Sequence, residues 1–241
     1  GFETIVELPR TVLVLLDRSE SMAMQDKRTA QEELRDSALA LGAVSYDNPD
    51  MPIPQSERSR VTGASRIDLA QALLARAEGN VFDQLGERCR LRYFAFGESL
   101  QPAAGEGETL PDSLQEANAD APATRLGSAV EEAVARYSGQ SIAGVIVLTD
   151  GASNQGREPL SVASNLGERD IPVYPVGIGL SAPSDVWLEN LIVSDTVFAG
   201  DRVPVRVRVS SRGYSGRTAN LAVTLDGRKV AGKVVSLGGE P

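Results

Sequence analysis

Thr11-Val12-Leu13-Val14-Leu15-Leu16-Asp17-Arg18-Ser19-Glu20-Ser21 decides how this chain is read. The segment over 11–16 is a continuous apolar run led by a threonine. It is short enough to be a strand buried on both faces, as in a parallel sheet. Asp17, Ser19 and Ser21 then place a carboxylate and two hydroxyls at alternate positions on the turn where that strand ends. In an open α/β sheet, ligands bind in the crevice outside the carboxyl ends of the strands. Oxygen donors of mostly neutral type suit a hard divalent cation such as magnesium.

Two further segments join this one. Val145-Ile146-Val147-Leu148-Thr149-Asp150-Gly151 reads as a second buried strand that delivers a carboxylate to its end, followed by a glycine turn. Ala123-Thr124-Arg125-Leu126-Gly127-Ser128-Ala129 sets a hydroxyl just before a helix. Each piece alone has a plainer reading. Asp17 to Ser21 suits an Asx-type turn or cap, Thr124 suits a helix N-cap, and Asp150-Gly151 is a common turn pair.

Together the three resemble the metal-ion-dependent adhesion site (MIDAS) of the von Willebrand factor type A (VWA) family. That site has an Asp-x-Ser-x-Ser loop after the first strand, a lone threonine on a later loop, and an aspartate after a central hydrophobic strand. Asp17, Ser19, Ser21, Thr124 and Asp150 match it in the family's order, and the resemblance covers residues 8 to 182. It implies a doubly wound, mainly parallel α/β sheet. It also implies a bound Mg2+ (or Mn2+ or Ca2+) ligated by the three hydroxyls. Asp17 and Asp150 hold its waters or bind it directly. With mainly neutral ligands the ion keeps much of its charge. The implied partner is therefore a protein that offers an exposed Asp or Glu as the last ligand. Arg18, Glu20, Arg125, Ser153 and Asn154 neighbour these positions as rim residues or solvated turn residues, and Glu20 would repel an acidic partner.

Composition narrows the alternatives. The chain has 241 residues, 41% hydrophobic and 24% charged, as expected of one large or two modest globular domains. Without histidine, Ser-His and Cys-His catalysis and histidine-ligated metals are excluded. One cysteine, Cys89, cannot form an internal disulfide or a zinc-thiolate cluster; beside Arg88 and Arg90 it reads as an inert surface or core cysteine in preference to a reactive thiolate. A formal charge of −9 argues against nucleic acid as a partner. The acidic excess lies in residues 1–187, whereas 188–241 is net basic, which supports two domains. No apolar run approaches the length of a membrane span. We read the chain as a piece of a longer protein.

Along the chain, helices are expected over 29–44, 67–77, 126–137 and 159–167, with Ser65 capping the second and Gly79-Asn80 ending it. Strands are expected over 11–16, 91–96, 144–149 and 172–178. Residues 46–65, with Pro49, Pro52 and Pro54, read as loop, as do 97–122, which should lie near the rim of the crevice. After Pro183 the pattern turns to strand alternation over 203–209, 221–225 and 229–237, with Asp226-Gly227 as a hairpin turn. The expectation is a VWA domain over 1–183, then an incomplete immunoglobulin-like β-sandwich over 184–241.

This order resembles bacterial membrane-anchored VWA proteins, which favours the extracytoplasmic side or cell envelope. Three functions compete: a metal-dependent protein-binding module, a structural envelope domain with a stabilising metal, and a magnesium-dependent hydrolase with Asp17 as nucleophile. The hydrolase lacks its usual companions. Ser19 stands where a second carboxylate is wanted, and no Gly-x-Ser-x-Gly elbow or Walker-type loop is present.

Overall fold

The computed structural model describes residues 9–75, 81–103, 110–180, 185–193 and 203–238. The chain divides into two compact units, residues 1–180 and 181–241.

In the first unit β1 (Thr11–Asp17) is buried along its whole length. It lies at the centre of a five-stranded sheet of order β3-β2-β1-β4-β5. β2 (Arg90–Phe96) and β4 (Ile142–Thr149) flank it in parallel, and β5 (Val173–Gly177) continues in parallel beyond β4. A short antiparallel strand, β3 (Leu100–Pro102), closes the other edge. Residues alternate across β1. Val12, Val14 and Leu16 pack on one face with Ile67, Leu69 and Leu74 of α3 (Arg66–Ala75). Leu13 and Leu15 pack on the other with Val130 and Val134 of α6 (Leu126–Arg136) and Val162 of α7 (Pro159–Gly167). Each fully buried leucine contributes about 1.5–3 kcal/mol, so the two-faced burial fixes β1 in place. The result is the doubly wound, mainly parallel sheet expected from the sequence.

The sheet order carries a functional consequence. The chain runs outward from β1 to β2 and β3, then returns to place β4 on the other side of β1. Strand order therefore reverses between β1 and β4, the point at which open α/β sheets bind ligands beyond the carboxyl ends of their strands. The register pairs Leu16 with Leu148, which brings Asp17 level with Thr149.

The loops are more structured than expected. Residues 46–65 contain α2 (Gln55–Gly63), with Pro54 at its N-cap. Only Val61 of that helix is buried, so no apolar stripe marked it in the sequence. Residues 97–122 hold β3 and a one-turn helix, α5 (Asp112–Gln115). The short α4 (Val81–Gly86) was also missed; it buries Phe82 alone. The helix expected over 29–44 is α1 (Gln31–Ala40). Ser65 does cap α3: its main-chain N–H and hydroxyl donate to Asp68, and its Oγ accepts from the Asp68 N–H at 3.3 Å. Gly79 and Asn80 lie outside the described residues.

The second unit holds two antiparallel pairs. β6 (Asp185–Ile192) pairs with β7 (Arg206–Arg212), and β8 (Thr218–Leu225) with β9 (Arg228–Ser236). Asp226 and Gly227 both take positive φ, 50° and 76°, as a two-residue hairpin turn requires. β6 was not anticipated. Its alternation is broken at Asn190, which has φ 54° and sits where the register shifts. Each pair is a separate two-stranded sheet, so the described residues of this unit supply β-hairpins. The expected boundary at 183 falls outside the described residues. No helix among them is long and apolar enough to cross a membrane.

Candidate metal centre

Asp17 ends β1 with no exposed surface. Its Oδ1 accepts the Ser19 main-chain N–H at 2.9 Å, the Asx turn allowed for in the sequence, and its Oδ2 accepts the Thr149 hydroxyl at 2.6 Å. Burial raises its pKa above the usual carboxylate range. The hydrogen bonds from Thr149 and Ser19 oppose that shift, and the nearby Asp150 charge adds to it. Both oxygens of this buried carboxylate are thus aimed and held.

Ser19 and Ser21 follow on a 3-10 turn over Glu20–Ala23, pinned by the fully buried Met22. Their hydroxyls lie 3.0 Å apart. Ser19 occupies the N-cap position of that turn, yet its side chain makes no cap hydrogen bond. Thr124 precedes α6, whose N-cap is Arg125 and which has no side-chain cap. The plain reading of Ser19 and Thr124 as helix caps therefore fails. Thr124 is 3% exposed and is gripped through its main chain. Its N–H donates to Asn154 Oδ1 at 2.9 Å, and its carbonyl accepts from Asn154 N–H at 3.1 Å and Gln155 N–H at 3.2 Å. Asn154 is thus a splint between the loop after β4 and the loop before α6.

The Ser19 loop and the Thr124 loop are also joined. Ser19 and Ala121 form a parallel bridge, with Glu20 N–H to Ala121 O at 2.8 Å and Ala121 N–H to Arg18 O at 3.1 Å. Arg125 N–H donates to Gly97 O at 3.1 Å. Gly97 packs so closely on Ala121 that an added Cβ would fall well under 3.0 Å from the Ala121 Cβ. Arg18 reaches Asp120 at 2.6 Å on the rim.

Asp150 follows β4, and Gly151 behind it turns at φ 81°. The Asp150 side chain is 5% exposed. Its Oδ1 accepts the Ala152 N–H at 3.0 Å, and its Oδ2 accepts Arg66 Nη1 at 2.7 Å. Arg66 in turn grips Asp26 with Nε at 2.9 Å and Nη2 at 2.7 Å. Sequence reading missed Arg66, Asp26 and Thr149. The first two lie between the motif segments without matching any motif position. Thr149 was legible only as the last residue of a hydrophobic strand.

Asp17, Ser19 and Ser21 thus share one loop, with Asp150 close enough to act on Asp17 electrostatically. The loop of Thr124 is hydrogen-bonded to the same loop at Ala121. Among the described residues no three His, Cys, Asp or Glu side chains cluster as a metal-binding group. The candidate donors are instead two carboxylates whose oxygens are engaged, plus the hydroxyls of Ser19, Ser21 and Thr124. This donor chemistry fits a hard divalent ion bound through neutral oxygens. Positive charge beside Asp17 and Asp150 would offset the cost of burying them.

No family model matches the chain, and no curated protein matches it. Solved structures do resemble it. Proximal thread matrix protein 1 from the mussel byssus is 16% identical, with a TM-score of 0.41 over 71% of this chain and 38% of that one. A further structure of that protein has a zinc-occupied MIDAS motif. Manganese-loaded Plasmodium vivax TRAP protein is 18% identical, with a TM-score of 0.37 over 71% of this chain and 57% of that one. The ArnB paralog VWA2 from Sulfolobus acidocaldarius is 11% identical, with a TM-score of 0.31 over 97% of this chain and 67% of that one. The chain therefore spans about two fifths of the mussel protein's length. At such identities and TM-scores the site stands on its own residues.

Proposed function

We propose that residues 1–183 are a VWA domain and that Ser19, Ser21, Thr124, Asp17 and Asp150 hold a divalent cation, Mg2+ or else Mn2+ or Ca2+. The observation that carries this reading is the state of the Asp17, Asp150, Ser19 and Ser21 side chains. Both oxygens of Asp17 and of Asp150 are already engaged. The Ser19 and Ser21 hydroxyls pair with each other at 3.0 Å, and Ser19 does not cap the 3-10 turn. Direct ligation then falls to neutral oxygens, and the carboxylates act one step out by orienting waters. An ion held this way keeps a strong pull on an anionic oxygen from outside. The function is metal-dependent recognition of a protein that presents an Asp or Glu.

A binding role is favoured over hydrolysis. A nucleophilic carboxylate must reach substrate, whereas Asp17 is wholly buried with both oxygens committed. Residues 184–241 are proposed as part of an immunoglobulin-like domain, and the parent as a membrane-anchored envelope protein of bacterial type.

Calorimetry tests this in two stages. Mg2+ or Mn2+ is titrated into the protein and into Asp17→Ala, and an acidic peptide library is then applied with metal and with chelator. Metal binding by the wild type alone, followed by metal-dependent capture of carboxylate-bearing peptides, is expected. Metal binding without any such capture would leave a stabilising ion in a structural domain. Equal heats in wild type and Asp17→Ala would reject the site.

A further inference from the structure

Arg66 opens α3 and has every side-chain nitrogen in use. Nε and Nη2 form a two-pronged fork on Asp26, at 2.9 and 2.7 Å. Nη1 meets Asp150 Oδ2 at 2.7 Å and the Ser21 carbonyl at 3.4 Å. The side chains of Arg66, Asp26 and Asp150 are 11%, 5% and 5% exposed. A guanidinium does not lose its charge in a protein, and a bidentate carboxylate fixes its plane. A permanent positive charge is therefore locked against one candidate ligand and against the main chain of another.

We infer that Arg66 is a positioning residue of this centre, an internal counter-charge that ties Asp150 down and holds cation affinity in check; the inference rests on the metal-site reading. With one oxygen on Arg66 and the other on the Ala152 N–H, Asp150 would be kept from turning fully onto a bound ion. The charge of such an ion would be less neutralised, which would favour an acidic group from a partner. Asp26 sets the strength of this restraint. It draws the guanidinium back, so that Arg66 shares its charge between two carboxylates.

This arrangement makes an unusual demand of mutants. Asp26→Asn leaves Arg66 leaning on Asp150 alone and should weaken cation binding. Arg66→Met frees Asp150 and removes the opposing charge, so it should tighten binding. Simple loss of structure would weaken both.

The experiment measures Mn2+ alone, by the electron paramagnetic resonance signal of the free ion, with thermal melts alongside. It uses the full chain as wild type, Asp26→Asn, Arg66→Met and the double variant Asp26→Asn/Arg66→Met. Relative to wild type we expect Asp26→Asn to bind roughly tenfold more weakly and Arg66→Met roughly tenfold more tightly, the scale of one nearby unit charge at a partly buried site. The double variant leaves no lone buried charge from the pair, so it carries the comparison if Arg66→Met does not fold. It should bind more tightly than Asp26→Asn. If wild type binds Mn2+ and loss of Arg66 leaves affinity unchanged or lowers it in both backgrounds, this inference falls and the metal site stands. If wild type binds no Mn2+ at all, both fall.

Discussion

Replacing Gly97 with alanine should damage the proposed metal centre from a distance. Gly97 is not one of the glycines with positive φ, so left-handed backbone strain does not arise for alanine there. The difficulty is contact. A Cβ at 97 would sit under 3.0 Å from Ala121 Cβ, with Ala123 O at 3.4 Å behind it. Carbon atoms rest about 3.5–4.0 Å apart, so the 97 and 121 segments must separate on the order of 1 Å. Overpacking of this kind costs about 1–3 kcal/mol. In a domain this size each kcal/mol lowers the melting temperature by about 2–4 °C, so a fall of about 2–12 °C is expected. Ala121 also bridges Ser19, and Thr124 lies three residues on, so the strain falls on two candidate ligands at once. Disturbing such outer supports weakens metal binding by about 10- to 100-fold. Differential scanning fluorimetry and Mn2+ titration would measure both effects. The decisive variant is Gly97→Ala/Ala121→Gly. It removes the clashing atom, and the nearest remaining neighbour, Ala123 O at 3.4 Å, is an ordinary contact. Stability and affinity should both recover. A double variant as impaired as Gly97→Ala would refute the contact argument, as would a Gly97→Ala protein that behaves like wild type.

Other expectations follow from the same geometry. Magnesium at a hundredfold excess over its dissociation constant stabilises the native state by about 2.7 kcal/mol. That corresponds to a rise of about 5–11 °C in melting temperature, seen in wild type and lost in Asp17→Ala. With chelator present, Asp17→Asn should melt higher than wild type at neutral pH. The raised folded pKa of Asp17 means that keeping it charged costs stability above that pKa, and the cost fades as pH falls towards the unfolded value of 3.8. The advantage of Asp17→Asn should therefore shrink on acidification; an advantage independent of pH would assign it to something other than the charge. Glu158→Ala removes the side chain that accepts from the Leu160 and Ser161 N–H groups at the start of α7. It should cost about 1 kcal/mol in chemical denaturation with metal affinity unchanged.

Most of the sheet was legible because burial on both faces leaves a simple mark. β1, β2 and β4 are near-continuous apolar runs, and each was located to within about two residues. α7 was legible through Pro159 and its apolar spacing. α2 and α4 bury one residue each, so periodicity had nothing to register. Asp17, Ser19, Ser21 and Asp150 could be found because they follow strand ends, which can be read, whereas Thr124, just before α6, was found only through the resemblance to the family's motif. Arg66 and Asp26 could not be found. Their meaning depends on a contact across 40 positions of sequence, and each residue alone resembles any solvated charge. Gly97 is the same kind of case: its lack of a side chain matters only because Ala121 is folded against it.

The chemistry of the centre follows from what surrounds its carboxylates more than from their number. A site rich in free acidic oxygens would saturate a divalent ion and leave it indifferent to a further anion. Here Thr149 and the Ser19 N–H engage Asp17, while Arg66 and the Ala152 N–H engage Asp150. Counting Asp17, Asp150 and Asp26 against Arg66 and Arg28, a buried arginine within electrostatic reach of Asp26, leaves one formal negative charge. A divalent ion would more than offset that charge, yet meet little of it directly. If the proposed ion is bound there, the electrostatic cost of burial would be met at long range, while short-range coordination would stay neutral and incomplete. Such a separation would let a cation be retained and still seek an outside carboxylate. It also explains why the reversal of strand order matters: only there do β1 and β4 bring two buried carboxylates to one edge without placing both on the same loop.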